Sequence, residues 1–252
     1  MRIDLNADLG EGAAYDAEIL ACISSANIAC GGHAGDKDSM QSAIALCLQH
    51  QVAIGAHPSY MDRANFGRTE MQLSSHALLH QLQNQLHDQV HSFKELVQAQ
   101  DAHLAHIKPH GALYNQAARD PAIADVLIRF IQEFDPTLPL MCLAGSVCAQ
   151  RARAAGVRVI EEGFADRRYH QNGQLVSRTL DGAVIEDNQI ALKQTTQLIL
   201  EQHMMSIEGS HIPMRVDTVC LHGDGLHALE LAQLLRAHLQ ELKIQICPAE
   251  AK

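Results

Sequence analysis

Short apolar segments alternate with longer amphipathic segments along most of this chain. The apolar segments have the length of β-strands and occupy residues 2–6, 27–30, 52–56, 104–108, 138–143, 157–161 and 218–222. Most of them are followed by apolar residues spaced three and four apart, a pattern that is typical of helices. Strands that alternate with helices predict a mostly parallel α/β sheet. About seven strands suit an irregular (β/α) barrel, and an open, doubly wound sheet is the alternative.

The amphipathic segments carry the signals with which helices begin. The longest of them spans residues 75–99, and another opens at Asp120, where Pro121 follows a capping residue. No low-complexity linker and no repeat interrupts the alternation. Residues 1–252 are therefore predicted to form one (β/α) barrel domain.

One segment, residues 162–185, does not follow this alternation. It contains Asn172-Gly173 between short extended pieces, which favours a hairpin turn. An insertion that follows a barrel strand lies on the face where barrel enzymes carry their active sites. We therefore expect this segment to act as a lid.

The composition excludes several classes of protein. The net charge is −10 and no basic block occurs, which argues against a nucleic-acid partner. Hydrophobic residues make up 47% of the chain but aromatic residues only 4%, so we expect an aliphatic core. The seven cysteines form no C-x-x-C pair and are predicted to be buried, reduced thiols. No secretion signal or membrane-spanning segment is recognisable, which predicts a cytoplasmic protein.

Polar residues follow the apolar segments at the point where each strand should end. Parallel strands of a barrel bring such residues together at one mouth, so the pattern predicts an enzyme. The candidate catalytic residues are Asp8, His33, His57, Lys108, His110, His222 and Asp224. Alternate residues of a strand share one face, so Lys108 and His110 should point the same way.

The chemistry of this set remains open from the sequence alone. Asp8, His33 and His57 are ligand types that zinc and manganese accept, although no local metal motif such as His-Glu-x-x-His occurs. The same histidines suit proton transfer without a metal. Lys108 could be a base with a lowered pKa, or a cation that stabilises an oxyanion. Arg63 and Arg68, in the loop after His57, could clamp a carboxylate.

Three common motifs are absent from the sequence. The chain contains no G-x-x-x-x-G-K-[ST] phosphate loop and no G-x-G-x-x-G fingerprint after a strand. It also lacks the G-x-S-x-G motif of α/β-hydrolases.

Six motifs, spread from the first strand to the last, resemble the LamB/YcsF family, which provides the A subunit of bacterial 5-oxoprolinase. They are residues 4–11 (DLNADLGE), 26–36 (ANIACGGHAGD), 55–60 (GAHPSY), 108–115 (KPHGALYN), 164–167 (FADR) and 221–224 (LHGD). The resemblance implies an irregular barrel related to the polysaccharide-deacetylase fold. It also implies ATP-dependent ring opening of 5-oxo-L-proline to L-glutamate, together with partner subunits B and C. Two positions depart from the family pattern: Gly32 replaces Phe and Met61 replaces Pro, which would alter the shape of the pocket.

Ring opening gives the candidate residues specific roles. Asp8 or a strand-end histidine would be the base, and Lys108 and His110 would stabilise the oxyanion or phosphate. The other histidines and Asp224 would complete a proton network. The expected substrate-binding residues are Asn6, Arg63, Glu162, Asp166 and Arg167. Two alternatives remain: a metal-dependent deacetylase or amidohydrolase that acts alone, and a non-catalytic subunit that binds 5-oxoproline.

Overall fold

Seven parallel strands hydrogen-bond in a closed ring. The computed structural model describes residues 1–221 and 228–250. Within these residues the strands are β1 (Arg2–Leu9), β2 (Ser25–Ala29), β3 (Ala53–His57), β4 (Leu104–Ile107), β5 (Leu140–Leu143), β6 (Val159–Phe164), β7 (His203–Met205), β8 (His211–Pro213), β9 (Thr218–Leu221) and β10 (Gln245–Ile246). The ring follows the order β1-β2-β3-β4-β5-β6-β9, and β9 pairs with both β6 and β1. This closure confirms the predicted barrel and excludes the open sheet, which would leave two unpaired edges.

Helices connect most of the strands and cover the outside of the barrel. They are α1 (Asp16–Leu20), α2 (Lys37–His50), α3 (His76–Gln98), α4 (Gly111–Ala117), α5 (Pro121–Phe134), α6 (Val147–Ala154), α7 (Asn188–Thr196) and α8 (Ala228–Glu241). The Asp120 side chain accepts a hydrogen bond from the backbone N–H of Ala122 and caps α5, as the sequence predicts. None of the described helices combines the length and the apolar character needed to cross a bilayer.

Apolar and polar residues are sorted to opposite sides of the barrel wall. In β1, Ile3 and Leu5 belong to the apolar core, while the alternate residues Asp4 and Asn6 join polar networks with other strands. The expected aliphatic core is therefore present between the strands and the helices. The barrel interior differs from that expectation, because its inward positions carry buried polar side chains that hydrogen-bond to one another. The cysteines agree with the prediction: all seven are free thiols, and six are buried.

Asp4 anchors the lower part of this polar interior. Its carboxylate accepts hydrogen bonds from the hydroxyls of Ser24 (2.6 Å), Ser25 (2.8 Å) and Thr218 (2.6 Å). Burial raises the pKa of Asp4 to about 6, although these three hydrogen bonds act in the opposite direction. Asp4 thus ties three strand ends together below the region of the catalytic candidates.

His106 crosses the interior above this level, and Gly55 makes the space for its ring. A Cβ atom at Gly55 would lie 2.1 Å from Nε2 of His106, so a larger residue does not fit. Nε2 of His106 lies 2.6 Å from Oδ1 of Asn27, whose Nδ2 donates to Asp8. The amide oxygen can only accept, so Nε2 carries a proton. Burial, Lys108 and the neighbouring histidine lower the pKa of His106 to about 3, so it is neutral.

The segment after β6 folds back as predicted. His170 donates its backbone N–H to the carbonyl of Gln174 (2.8 Å) across a turn that contains Gly173, whose φ is +80°. Tyr169 and Leu175 form an antiparallel bridge on either side of this turn. The hairpin prediction is thus confirmed, and the segment lies over the end of the barrel described next.

Candidate active site

A cavity of about 390 Å³ opens where the barrel strands end and the segment after β6 crosses them. Its wall includes Asp8, His57, Lys108 and His110, four of the predicted catalytic residues. His33 does not line the cavity but stacks directly on His110, with ring centroids 3.5 Å apart. The two remaining candidates, residues 222 and 224, lie outside the described part of the chain.

Lys108 is a buried cation at the bottom of this cavity. Its Nζ lies 2.8 Å from Oδ1 of Asp8 and 2.8 Å from Oε1 of Glu162, and 3.2 Å from both Oδ1 of Asn6 and Sγ of Cys220. Burial opposes the charge, but the acidic neighbours raise the pKa of Lys108 well above its ordinary value. The ammonium is therefore permanent near neutral pH, which excludes the role of base and leaves that of a fixed positive charge.

Asn6 and Glu162 hold Lys108 from below instead of lining the cavity. Both are fully buried, and the Asn6 amide donates to Oε1 of Glu162 (3.0 Å). The expectation that they contact substrate is therefore corrected. Asn6 and Glu162 occupy inward strand positions one level deeper than Asp8 and Lys108. The side chains of Asp8 and Lys108 therefore separate Asn6 and Glu162 from the cavity.

Three histidines and one carboxylate meet beside Lys108. Oε1 of Glu11 lies 2.8 Å from Nε2 of His33, 3.1 Å from Nδ1 of His110 and 3.7 Å from Nε2 of His57. Nε2 of His57 also lies 3.4 Å from Oδ2 of Asp8. Burial disfavours a charge on His57, but Asp8 and Glu11 outweigh it and raise the pKa of His57. Burial lowers the pKa of His33 to about 4, so that ring is neutral.

Glu11 is the member of this cluster that the sequence analysis did not select. It follows β1 by two residues, after Gly10 at a φ of +74° turns the chain. The available signal was a second carboxylate just past the end of a strand that already carried Asp8. Only the turn at Gly10 brings that carboxylate back over the barrel mouth.

Tyr114, also absent from the sequence-based set, lines the cavity, but its hydroxyl is buried. Burial and the nearby Glu162 raise its pKa well above the ordinary value, so the phenol keeps its proton.

The outer wall of the cavity is rich in arginine. Arg68, Arg119, Arg167 and Arg178 all line it, and Arg119 is paired with Glu70. Arg167 is only 4% exposed. Its Nη2 donates to the carbonyl of Val176 (2.6 Å), while its Nε has no hydrogen-bond partner among the described residues. Burial and the charge of Arg178 lower the pKa of Arg167 to about 10, which still leaves it charged near neutral pH.

Two other predicted substrate-binding residues do not reach the cavity. The guanidinium of Arg63 donates to the backbone carbonyls of Gly31 (2.9 Å) and Gly35 (2.8 Å), so it braces the glycine-rich loop. The predicted carboxylate clamp at Arg63 is corrected on this ground. Asp166 is buried beside Arg167 but does not line the cavity. Of the five predicted substrate-binding residues, Arg167 alone lines it.

The two departures from the family pattern also lie away from the cavity. A Cβ atom at Gly32 would lie 2.4 Å from Oε1 of Gln89 and from Oγ of Ser59. The buried Gln89 side chain accepts from the Ser59 N–H (3.0 Å) and donates to the Ser59 carbonyl (2.9 Å). Gly32 thus accommodates Gln89, and Met61 is a half-exposed surface residue. Neither residue lines the cavity wall.

The family is decided by a match over almost the whole chain. A family model described as the LamB/YcsF family matches residues 3–252. The chain belongs to the LamB/YcsF family. A crystal structure of a lactam utilization protein from Thermus thermophilus is similar to this LamB/YcsF chain, with 36% identity and a TM-score of 0.89. The match covers 98% of this chain and 99% of that protein.

Two more distant structures share the fold of this LamB/YcsF protein. A family 4 carbohydrate esterase from Streptomyces lividans, in complex with acetate, has 9% identity and a TM-score of 0.50. That match covers 97% of this chain and 91% of the esterase. The T48 deacetylase with substrate has 10% identity and a TM-score of 0.50. That match covers 100% of this chain and 93% of the deacetylase. These similarities confirm the predicted relation to the deacetylase fold, and at such identities they concern the fold alone.

Proposed function

We propose that this protein is the A subunit of a multi-subunit 5-oxoprolinase and opens the ring of 5-oxo-L-proline to give L-glutamate with consumption of ATP. Two facts support the proposal: membership of the LamB/YcsF family and similarity over its full length to a lactam utilization protein. The observation that carries it is the cavity itself, which has the ammonium of Lys108 at its bottom and a buried arginine, Arg167, in its outer wall. Such a site suits a small anionic substrate whose reaction develops negative charge.

The lactam needs activation because amide resonance makes attack by water slow. Transfer of a phosphoryl group from ATP to the lactam oxygen makes the ring carbon more electrophilic. Water then adds to that carbon, a base takes the proton of the water, and the ring nitrogen leaves with a proton as an amine. A second water releases phosphate from the resulting acyl phosphate. The site must orient water, accept its proton and hold an anion.

The described residues can divide these tasks. Asp8 lines the cavity, and its carboxylate is fixed by Lys108 through Oδ1, while Oδ2 lies 3.4 Å from Nε2 of His57. We assign this carboxylate the role of the base that takes the proton from water. Lys108 holds the developing oxyanion or the phosphate. Because Asn6 and Glu162 hold the ammonium in place before the reaction, little reorganisation is needed.

Arg167 fits the carboxylate of the substrate. Arg167 lines the cavity, and its Nη2 is fixed by the carbonyl of Val176. A guanidinium can bind a carboxylate through two parallel hydrogen bonds. We expect the neighbouring Arg178 to reinforce this anion site.

We expect ATP to bind mainly at the partner subunits. The sequence has no phosphate loop. We therefore expect subunits B and C to supply most of the nucleotide-binding surface and to complete the active complex. The experiment that tests this function measures the formation of ADP and glutamate from 5-oxoproline and ATP. It is run with the chain alone and with both partner subunits.

Glutamate should form only with ATP and with both partners present. Robust ADP release by the isolated chain with 5-oxoproline would overturn the proposed division of labour. Chelator-sensitive amide hydrolysis without ATP would favour the deacetylase or amidohydrolase alternative. Turnover that survives Asp8→Asn in the assembled complex would favour the non-catalytic binding role.

Replacing Arg167 with Met is expected to weaken substrate binding more than it slows chemistry. A hydrogen bond to a charged group contributes about 1.5–3 kcal/mol, so KM for 5-oxoproline should rise roughly 10- to 100-fold. The kcat should change much less, because the carboxylate is bound in the ground state and in the transition state alike. Steady-state kinetics of the assembled complex measure both constants.

The matched control is Arg129→Met, which removes an exposed arginine that does not line the cavity. It should leave KM unchanged. An unchanged KM in the Arg167 variant, with the melting temperature of the wild type, would remove Arg167 from substrate recognition.

A further inference from the structure

The protons of two buried histidines can be placed from their backbone contacts. Nδ1 of His57 lies 2.8 Å from the carbonyl oxygen of Lys108, and Nε2 of His110 lies 3.0 Å from the carbonyl oxygen of Phe66. Carbonyl oxygens only accept hydrogen bonds, so these two ring nitrogens carry protons. In their neutral forms, the other nitrogens, Nε2 of His57 and Nδ1 of His110, therefore present lone pairs.

These two lone pairs face each other and a carboxylate. Nε2 of His57 and Nδ1 of His110 are 3.0 Å apart, and Oε1 of Glu11 lies 3.7 Å and 3.1 Å from them. Three electron-rich atoms thus form a small buried triangle. Such a group is repulsive unless a cation or a proton lies among the three atoms.

The size of the triangle fits a metal ion. Zinc binds imidazole nitrogen and carboxylate oxygen at about 2.0–2.2 Å, which separates neighbouring ligand atoms in a tetrahedron by roughly 3.3–3.6 Å. The observed edges of 3.0, 3.1 and 3.7 Å bracket this range. Two histidines and one acidic residue are also a ligand set of catalytic zinc and of other first-row metals.

The surroundings have the form of an outer ligand shell. Metal-binding histidines usually donate their second N–H to a backbone carbonyl, as His57 and His110 do here. His33 donates its Nε2–H to Glu11 and so orients the carboxylate. Its ring is stacked parallel to His110, within 3°, so its in-plane lone pairs do not converge with those of His110. His33 therefore belongs to the outer shell.

We infer that Glu11, His57 and His110 bind one divalent first-row transition-metal ion, of which zinc is the best match, with its open positions toward the cavity. All three residues line that cavity, so water or a substrate oxygen can reach the remaining positions. When bound, such an ion supplies a Lewis acid and a bound water of lowered pKa. The inference rests on donor atoms and not on the identity of the substrate.

Equilibrium binding tests the inference without any activity assay. Protein stripped with a chelator is titrated with Zn²⁺ by calorimetry, and the wild type should bind one ion tightly. Glu11→Gln and His57→Gln should each lose this ion, and Zn²⁺ should no longer raise their melting temperature. The control is His87→Ala/His91→Ala, which removes a pair of exposed histidines on α3. It should keep the tight ion.

Co²⁺ provides a second readout on the wild-type protein alone. Its visible absorption should show nitrogen ligation, and Zn²⁺ should abolish it at one equivalent. No tight ion in the wild type, or the same stoichiometry in the Glu11 and His57 variants, would overturn the inference. The triangle would then be held by a protonated His57. Metal binding without ring opening would instead leave this inference intact and count against the proposed function.

Discussion

Lys108→Met is expected to destabilise the protein by about 3–5 kcal/mol and to abolish useful turnover. The substitution removes the ammonium between Asp8 and Glu162, which leaves buried carboxylate charge without its partner. Turnover should fall at least 10²- to 10³-fold, roughly the range for losing one group that stabilises charge in the transition state. Chemical denaturation and the assay of the assembled complex measure the two effects.

The double variant Lys108→Met/Glu162→Gln separates these two effects. Glu162 is fully buried, so neutralising it removes most of the unpaired charge, and much of the lost stability should return. Turnover should stay low, because the cation is still missing. Recovery of turnover in the double variant would show that Lys108 only supports the fold. If Lys108→Met alone were as stable as the wild type, the stabilising role of the buried ion pair would be contradicted.

His106 is expected to make the protein less stable as the pH falls. Its pKa is about 3 in the folded protein and 6.5 in its ordinary state, so the unfolded chain binds a proton first. The stabilisation is complete above pH 6.5 and is lost progressively from there toward pH 3. Between pH 6.5 and 5 the loss should reach about 1.6 kcal/mol, from about 1.4 kcal/mol per pKa unit and a half-protonated unfolded state at pH 6.5. Urea denaturation across this range measures it.

The matched comparison for this prediction is His106→Gln. Its amide can still donate to Oδ1 of Asn27, but it does not titrate. His33 also has a lowered pKa, so the wild type and the variant share that part of the pH dependence. The variant should therefore lose about 1.6 kcal/mol less stability than the wild type between pH 6.5 and 5. Equal slopes for the two proteins would show that His106 is accessible to protons in the folded state.

Much of the architecture is legible in the sequence because it depends on local periodicity. Apolar positions at spacings of three and four predicted a helix over residues 75–99. The observed helix α3 (His76–Gln98) differs from this range by one residue at each end. Period-two alternation predicted that Lys108 and His110 point the same way, and both line the cavity. The convergence of Asp8, His57, Lys108 and His110 followed from strand ends that share one mouth. These features need only the geometry of single strands and helices.

The charge state of the site needed the tertiary structure. Lys108 could have been a base or a fixed cation, and the choice depends on Asp8 and Glu162, which are far away in the sequence but 2.8 Å from its Nζ. A pKa is set by burial and by charges within a few ångströms. No local pattern reports such distances, so the sequence left both roles open.

The assignment of substrate contacts also depended on depth within the barrel. Residues on the same inward face of a strand differ in height by about 6.6 Å for every two residues. Asn6 and Glu162 therefore lie beneath Lys108 instead of in the cavity, and Arg63 binds two backbone carbonyls of its own neighbourhood. Glu11 reaches the histidines only because the chain turns at Gly10. The sequence by itself thus determined the alternation of strands and helices and which strand side chains point inward. Closure of the barrel, depth and charge were decided by contacts between distant segments, because only the folded chain sets those distances.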